Sequence, residues 1–235
     1  MSRARRTAHP AGTGATDDGN RVADDADVLR RLRTETAAEH QAVEDTLDLL
    51  DPALTPDRLV AVLGRLHGFW AAAEAGLDGW AAAHPEDAAG VDWTRRRRTH
   101  LYAADLAALG ADPGAPAARP ELPAVPDTDA ALGRMYVLEG STLGGQFIDR
   151  HLASLPQLAA AGSLAAFSPY GEETGAMWHG YRTATRARIA AGGNADRLVG
   201  AARDTFTALA AWCGAEPAGD VRRRGTRRHQ DGAMA

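Results

Sequence analysis

Where apolar positions recur in this chain, they recur at steps of three and four. Leu29, Leu32, Thr36, His40, Val43, Leu47 and Leu50 make the first such stripe, which is the period of one helix face. Asp51-Pro52 ends that helix. Thr55-Pro56 opens a second, with Thr55 as N-cap and Pro56 at the first helical position; it is predicted to reach about Ala83. A third helix is predicted over roughly 91–109, stopped by Gly110 ahead of Pro113. Prolines 113, 116, 120, 123 and 126 mark residues 111–127 as a surface linker. A fourth helix is predicted over about 128–155, with glycines in its middle. Two more follow at about 172–191 and 195–214, the last with Asn194 as N-cap. No period-two run is long enough for a strand, and no internal repeat is visible. The pattern specifies an all-α, single-domain bundle, with helices packed on helices.

Residues 1–25 are rich in Gly, Ala, Asp, Thr and Arg and have no periodicity, and 216–235 read the same way. Both are expected to be disordered tails around a helical domain over 26–215. The chain has 235 residues, enough for one domain with a substantial core. With 45% hydrophobic and 24% charged residues it has the profile of a soluble globular protein. A net charge of −5 disfavours nucleic acid as a general partner. Cys213 is the one cysteine, so no intrachain disulfide can form, which fits a cytoplasmic location. No apolar run is long enough to span a membrane. Arg3, Arg5 and Arg6 are followed by no apolar segment, so no secretory signal is expected.

Two segments carry chemistry. His40 lies in the apolar stripe of the first helix, and Glu44 is one turn away on the same face. An imidazole that ligates a metal through Nε2 leaves its Nδ1–H to be satisfied. A carboxylate at that spacing can accept the proton directly or through water. A core histidine bonded to a nearby carbonyl is the bland alternative. The second segment runs from Met135 through Tyr136, Glu139, Gly140, Ser141, Thr142, Gly144 and Gly145 to Ile148. Glycine inside a helix costs on the order of 1 kcal/mol against alanine, so three in six residues need a compensating gain. Gly140 and Gly144 share a face, about 6 Å apart along the axis. Bare backbone there lets a planar ligand approach, and it equally permits a close helix–helix crossing.

The pattern Leu32-Arg33, Thr36, His40, Glu44, joined to Tyr136-Val137, Glu139-Gly140-Ser141, Leu143-Gly144, resembles the biliverdin-producing haem oxygenases in their bacterial form, over roughly residues 27–214. The resemblance implies haem held between a proximal and a distal helix, with His40 as the iron ligand and Glu44 beside it. It implies that Arg33, Tyr136 and Arg182 meet haem propionates and that Phe206 packs beside the ring. Gly140 and Gly144 would face the iron-bound oxygen, with Ser141 and Thr142 holding the distal hydrogen-bond network. Mammalian members carry an aspartate where this chain has Ser141. The implied reaction is cleavage of haem by O2 and electrons to biliverdin, CO and free iron, with the α isomer as the default. Haem is then both substrate and cofactor. The implied partners are a ferredoxin or flavodoxin with its reductase as electron donor, and a biliverdin-accepting phytochrome.

The run Arg95–Arg98 is expected to be a solvated face, with docking of an acidic electron donor as a lesser alternative. Three rival functions stand beside the main one. A non-catalytic haem or bilin binder would not need the bare distal backbone. A di-iron oxidase would need Glu-x-x-His pairs, and no histidine here has a glutamate three residues before it. A thiaminase-like hydrolase would need a cysteine nucleophile, which leaves only Cys213.

Overall fold

The computed structural model describes residues 28–112 and 118–215; the two expected tails, with residues 26 and 27 and part of the linker, lie outside that range. Helix α1 covers 28–35 of the described chain. It is followed by α2 (Ala37–Leu47), α3 (Pro56–Ala83), α4 (Pro85–Gly90), α5 (Thr99–Ala108), α6 (Thr128–Ser154), α7 (Thr174–Ala190) and α8 (Ala195–Gly214). Short 3-10 turns occupy Trp93–Arg96, Pro156–Ala161 and Gly171–Glu173. Among the described residues there is no strand, and the fold is all-α.

The caps explain why the helices start where they do. Thr55 Oγ1 accepts from the Arg58 N–H at 3.2 Å, and Asn194 Oδ1 accepts from Arg197 N–H at 2.9 Å. Asp127 does the same for α6 through the Ala130 N–H at 2.9 Å. Each such cap satisfies a backbone donor that the helix itself cannot.

Two predicted helices are interrupted. The first breaks at Thr36, whose φ is −111°. Its buried hydroxyl donates back to the Leu32 carbonyl at 2.6 Å, a local bond that competes with the regular helical ladder. Asp48 then ends α2 in the left-handed region with φ 46°. That turn puts Leu49 in the core (5% exposed) and Leu50 in solvent (47%), so Leu50 does not belong to the buried stripe. In place of the predicted third helix over about 91–109 there is a 3-10 turn followed by α5, with the short α4 ahead of it. The cause is Glu74, buried on α3. Its carboxylate accepts from the backbone N–H of Arg98 (2.6 Å) and Thr99 (3.0 Å) and from the Thr99 hydroxyl (2.7 Å). A side chain 24 residues away in sequence thus caps α5 and fixes the break before it.

The centre of the molecule is α6, packed most extensively on α8, which also carries α2; α3 packs on α5. Leu59, Leu63, Phe69, Leu77, Leu132, Met135 and Tyr181 are fully buried along this seam. Each such apolar side chain contributes about 1.5–3 kcal/mol relative to exposure. Trp80 is pinned by its indole N–H to Thr128 Oγ1 at 3.2 Å, which ties α3 to the start of α6.

Candidate functional site

Helices α2 and α6 both lean on α8 and make little contact with each other. The gap between them is a cavity of about 380 Å³. His40, Val43, Glu44 and Leu47 line it from α2; Tyr136, Val137, Gly140, Ser141, Leu143 and Gly144 line it from α6. Trp70, Phe167, Trp178 and Phe206 complete an apolar wall. Two sequence segments a hundred residues apart therefore face each other across one space.

His40 Nδ1 lies 3.7 Å from Glu44 Oε2. That is too long for a direct hydrogen bond. The imidazole stands edge-on to Phe206, with centroids 5.5 Å apart and planes at 79°. This packing fixes the ring plane. Both polar side chains remain more than half exposed (55% and 58%).

The three glycines divide into two kinds. A Cβ at Gly140 or Gly144 would meet nothing within 4 Å, so these positions open onto space. A Cβ at Gly145 would lie 1.9 Å from the Phe167 carbonyl oxygen, so this glycine permits a close chain crossing. Both readings of the glycine cluster are realised, at different residues.

The arginine run is not a solvated face. Arg97 adopts an extended conformation (φ −68°, ψ 133°) after the 3-10 turn, so successive side chains alternate. Arg95 and Arg97 are exposed and pair with Glu173 and Asp78. Arg96 and Arg98 are buried, 4% and 1% exposed. Arg96 forms a buried ion pair with Glu139 and donates to the Met177 carbonyl at 3.1 Å. The Tyr170 hydroxyl donates to the other Glu139 oxygen at 2.8 Å. Burial and that carboxylate push the Tyr170 phenol well above its ordinary range. Arg98 lies over the Trp70 ring at 5.1 Å. It donates to the Leu138 carbonyl and, at 3.1 Å, to Ser141 Oγ. Ser141 in turn donates to Leu138 O at 2.7 Å. The Ser141 proton is thereby committed inward, and the Arg98 guanidinium stands beside the glycine-bearing segment of α6.

The other site residues are placed as follows. Tyr136 belongs to an aromatic cluster, 6.0 Å from Trp178 and 6.3 Å from Phe206. Burial raises its phenol pKa, opposed by the Thr36 hydroxyl and by the nearby Arg33 charge. Arg33 is exposed on α1. Thr142 is buried, donates to the Glu139 carbonyl at 2.7 Å and does not line the cavity. Arg182 is half-buried on α7 and also off the cavity wall, with its Nε buried and unpartnered. Cys213 is half-buried, and burial pushes its thiol up to about 12, which suits inert packing over a nucleophile.

Sequence reasoning missed Trp70, Trp178, Tyr170, Glu74 and the two inward arginines. The one available signal was Trp93, three residues before Arg96: an aromatic residue beside a charge run suggests that the run is partly buried. The Glu74 and Tyr170 contacts cross between elements and leave no mark in local periodicity.

The all-α bundle has the fold of a solved haem oxygenase. That structure is the NO- and CO-bound heme oxygenase from Neisseria meningitidis. It is similar at 19% identity with a TM-score of 0.55, over 82% of this chain and 97% of that one. No protein-family model and no curated sequence matches this chain. Among the described residues, no helix is long and apolar enough to cross a membrane.

Proposed function

We propose that this chain is a haem oxygenase, degrading haem with O2 and electrons from an external donor to biliverdin, CO and free iron. The observation that carries the proposal is one cavity with His40 on one wall and the open backbone of Gly140 and Gly144 on the other. The residues present fit the group. The cavity is mostly apolar, its one histidine is held edge-on by Phe206, and the two glycines leave the space a flat ring needs. His40 would hold the iron, with Glu44 positioned to fix its tautomer through Nδ1. Arg33, Tyr136 and Arg182 are proposed to take the propionates, and Phe206 to pack beside the ring. When bound, haem supplies both the iron at which oxygen is activated and the ring that is opened.

The protein's own contribution is placement and proton control. Arg98 and Leu138 hold Ser141 inward, so no side-chain acid points from that position at the reacting oxygen. Thr142, on the buried side of the same helix, donates to the Glu139 backbone carbonyl. Val137 and Phe167 give the cavity buried apolar walls. The electron donor is proposed to be a small acidic redox protein of the ferredoxin or flavodoxin type, and the cytoplasm is the proposed location.

The test is titration of the purified chain with hemin. Wild type should give one equivalent of haem with a histidine-ligated spectrum. His40→Ala should lose that spectrum and regain it with added imidazole. A His40→Ala protein that kept the wild-type spectrum would contradict the assignment.

A further inference from the structure

We propose that the chain carries a second binding site, unconnected with haem, for a small apolar molecule bearing a single carboxylate. The site is a cavity of about 330 Å³ between α6, α8 and the proline segment. Its lining shares no residue with the cavity between α2 and α6.

The argument begins with Arg134. It lines this cavity and is 4% exposed. One guanidinium nitrogen donates to the Pro123 carbonyl, and its Nε is buried with no hydrogen-bond partner. Burial pulls its pKa down to about 10, with no carboxylate acting to restore it. A buried cation without a counter-ion is unfavourable, because desolvation is not offset by attraction to a partner. The fold nevertheless makes room for it. A Cβ at Gly76, inside α3, would lie 2.4 Å from Arg134 Nη1. The chain accepts a helix-interior glycine there, at about 1 kcal/mol, and the guanidinium occupies the space. A backbone tether to Pro123 alone would need neither full burial nor a charge.

The rest of the lining defines the ligand. Arg197 is bonded to Asp127 and so is already neutralised. Asp204 stands at the exposed edge and repels a dianion more strongly than a monoanion. Pro126 and Ala130 give apolar walls. One unpaired cation, one opposing charge at the rim and an apolar interior select a monocarboxylate with a hydrocarbon body over phosphate or sulfate. The Arg134 Nε–H, buried and without a partner, is the donor left for one carboxylate oxygen.

The test is calorimetric titration of the full haem-free chain with sodium benzoate in low-salt buffer, with sulfate as the competing probe. Wild type should bind one benzoate saturably, and His40→Ala should bind it equally well. Arg134→Gln should weaken binding at least tenfold. Gly200→Leu is the variant that decides if Arg134→Gln does not fold. Gly200 lines the cavity, and a Cβ there meets nothing within 4 Å, so leucine raises helix propensity while filling the site; benzoate binding should be lost. No saturable binding in wild type, undiminished binding in Gly200→Leu, or sulfate binding as tight as benzoate would each overturn the proposal.

Discussion

Glu139→Gln tests whether α6 is anchored by a buried charge pair. The Arg96 and Glu139 side chains are 3% and 2% exposed. The substitution keeps an oxygen for the Tyr170 hydroxyl and puts an NH2 donor where Arg96 had a charged acceptor, so both the negative charge and that hydrogen bond are lost. An uncompensated buried cation should then cost about 3–5 kcal/mol. At roughly 2–4 °C per kcal/mol for a domain of this size, the melting temperature should fall by about 6–20 °C. The surface pair Arg95–Glu173 is the internal control. Its side chains are 46% and 61% exposed, so Arg95→Ala should change stability by less than about 1 kcal/mol. Arg96→Gln combined with Glu139→Gln should lose less than the sum of the two singles, by about 1–3 kcal/mol. The assay is urea unfolding followed by circular dichroism, with thermal melts in parallel. A loss under 1 kcal/mol in Glu139→Gln, or additive singles, would refute the claim that this pair holds the helix.

The glycines should separate. Gly145→Ala should destabilise by about 1–3 kcal/mol through collision with the Phe167 carbonyl, whereas Gly144→Ala should leave the melting temperature unchanged or raise stability by up to about 1 kcal/mol. Thermal melts showing the reverse order would contradict the division into crossing and open positions. Arg98→Met should leave the Leu138 carbonyl and Ser141 Oγ without their guanidinium donor, costing about 1–3 kcal/mol; amide exchange over 138–145 should quicken, and unchanged exchange counts against the role given to Arg98. Cys213 binds its proton more tightly folded, near 12 against 9.0 for an ordinary thiol. Its contribution to stability should therefore be complete below about pH 9 and fall as pH rises toward 12. At pH 9 iodoacetamide should label it far more slowly in native protein than in urea, and equal rates would place the thiol outside.

Local signals were legible in the sequence to the extent that they are local in the fold. Thr55, Pro56 and Asn194 sit at helix starts as their chemistry dictates. The glycine cluster and the His40–Glu44 spacing were readable because both act within one helix. Three features were not readable. Thr36 looks like a stripe position, and only its hydroxyl bond to Leu32 breaks the helix. Glu74 looks like a surface charge on α3, and only the approach of α5 turns it into a cap. Arg96 and Arg98 look solvated among four arginines. A 3-10 turn followed by extended backbone sends alternate residues inward, a choice made by burial of Glu139 and Trp70 and not by helical period. At the site, the sequence identified residues on the two facing helices. It did not show that Thr142 turns away from the cavity, or that Ser141 is held by a guanidinium from another element.

Reconstitution of the full chain with one equivalent of hemin, followed by a reductant under oxygen with a CO trap and acid extraction of the pigment, tests the central claim most directly. The account requires loss of the Soret band with extractable biliverdin and about one CO per haem. A stable haem complex that yields no bilin would contradict catalysis and leave a haem-binding protein. Absence of stoichiometric haem binding would remove the basis for the cavity assignment altogether.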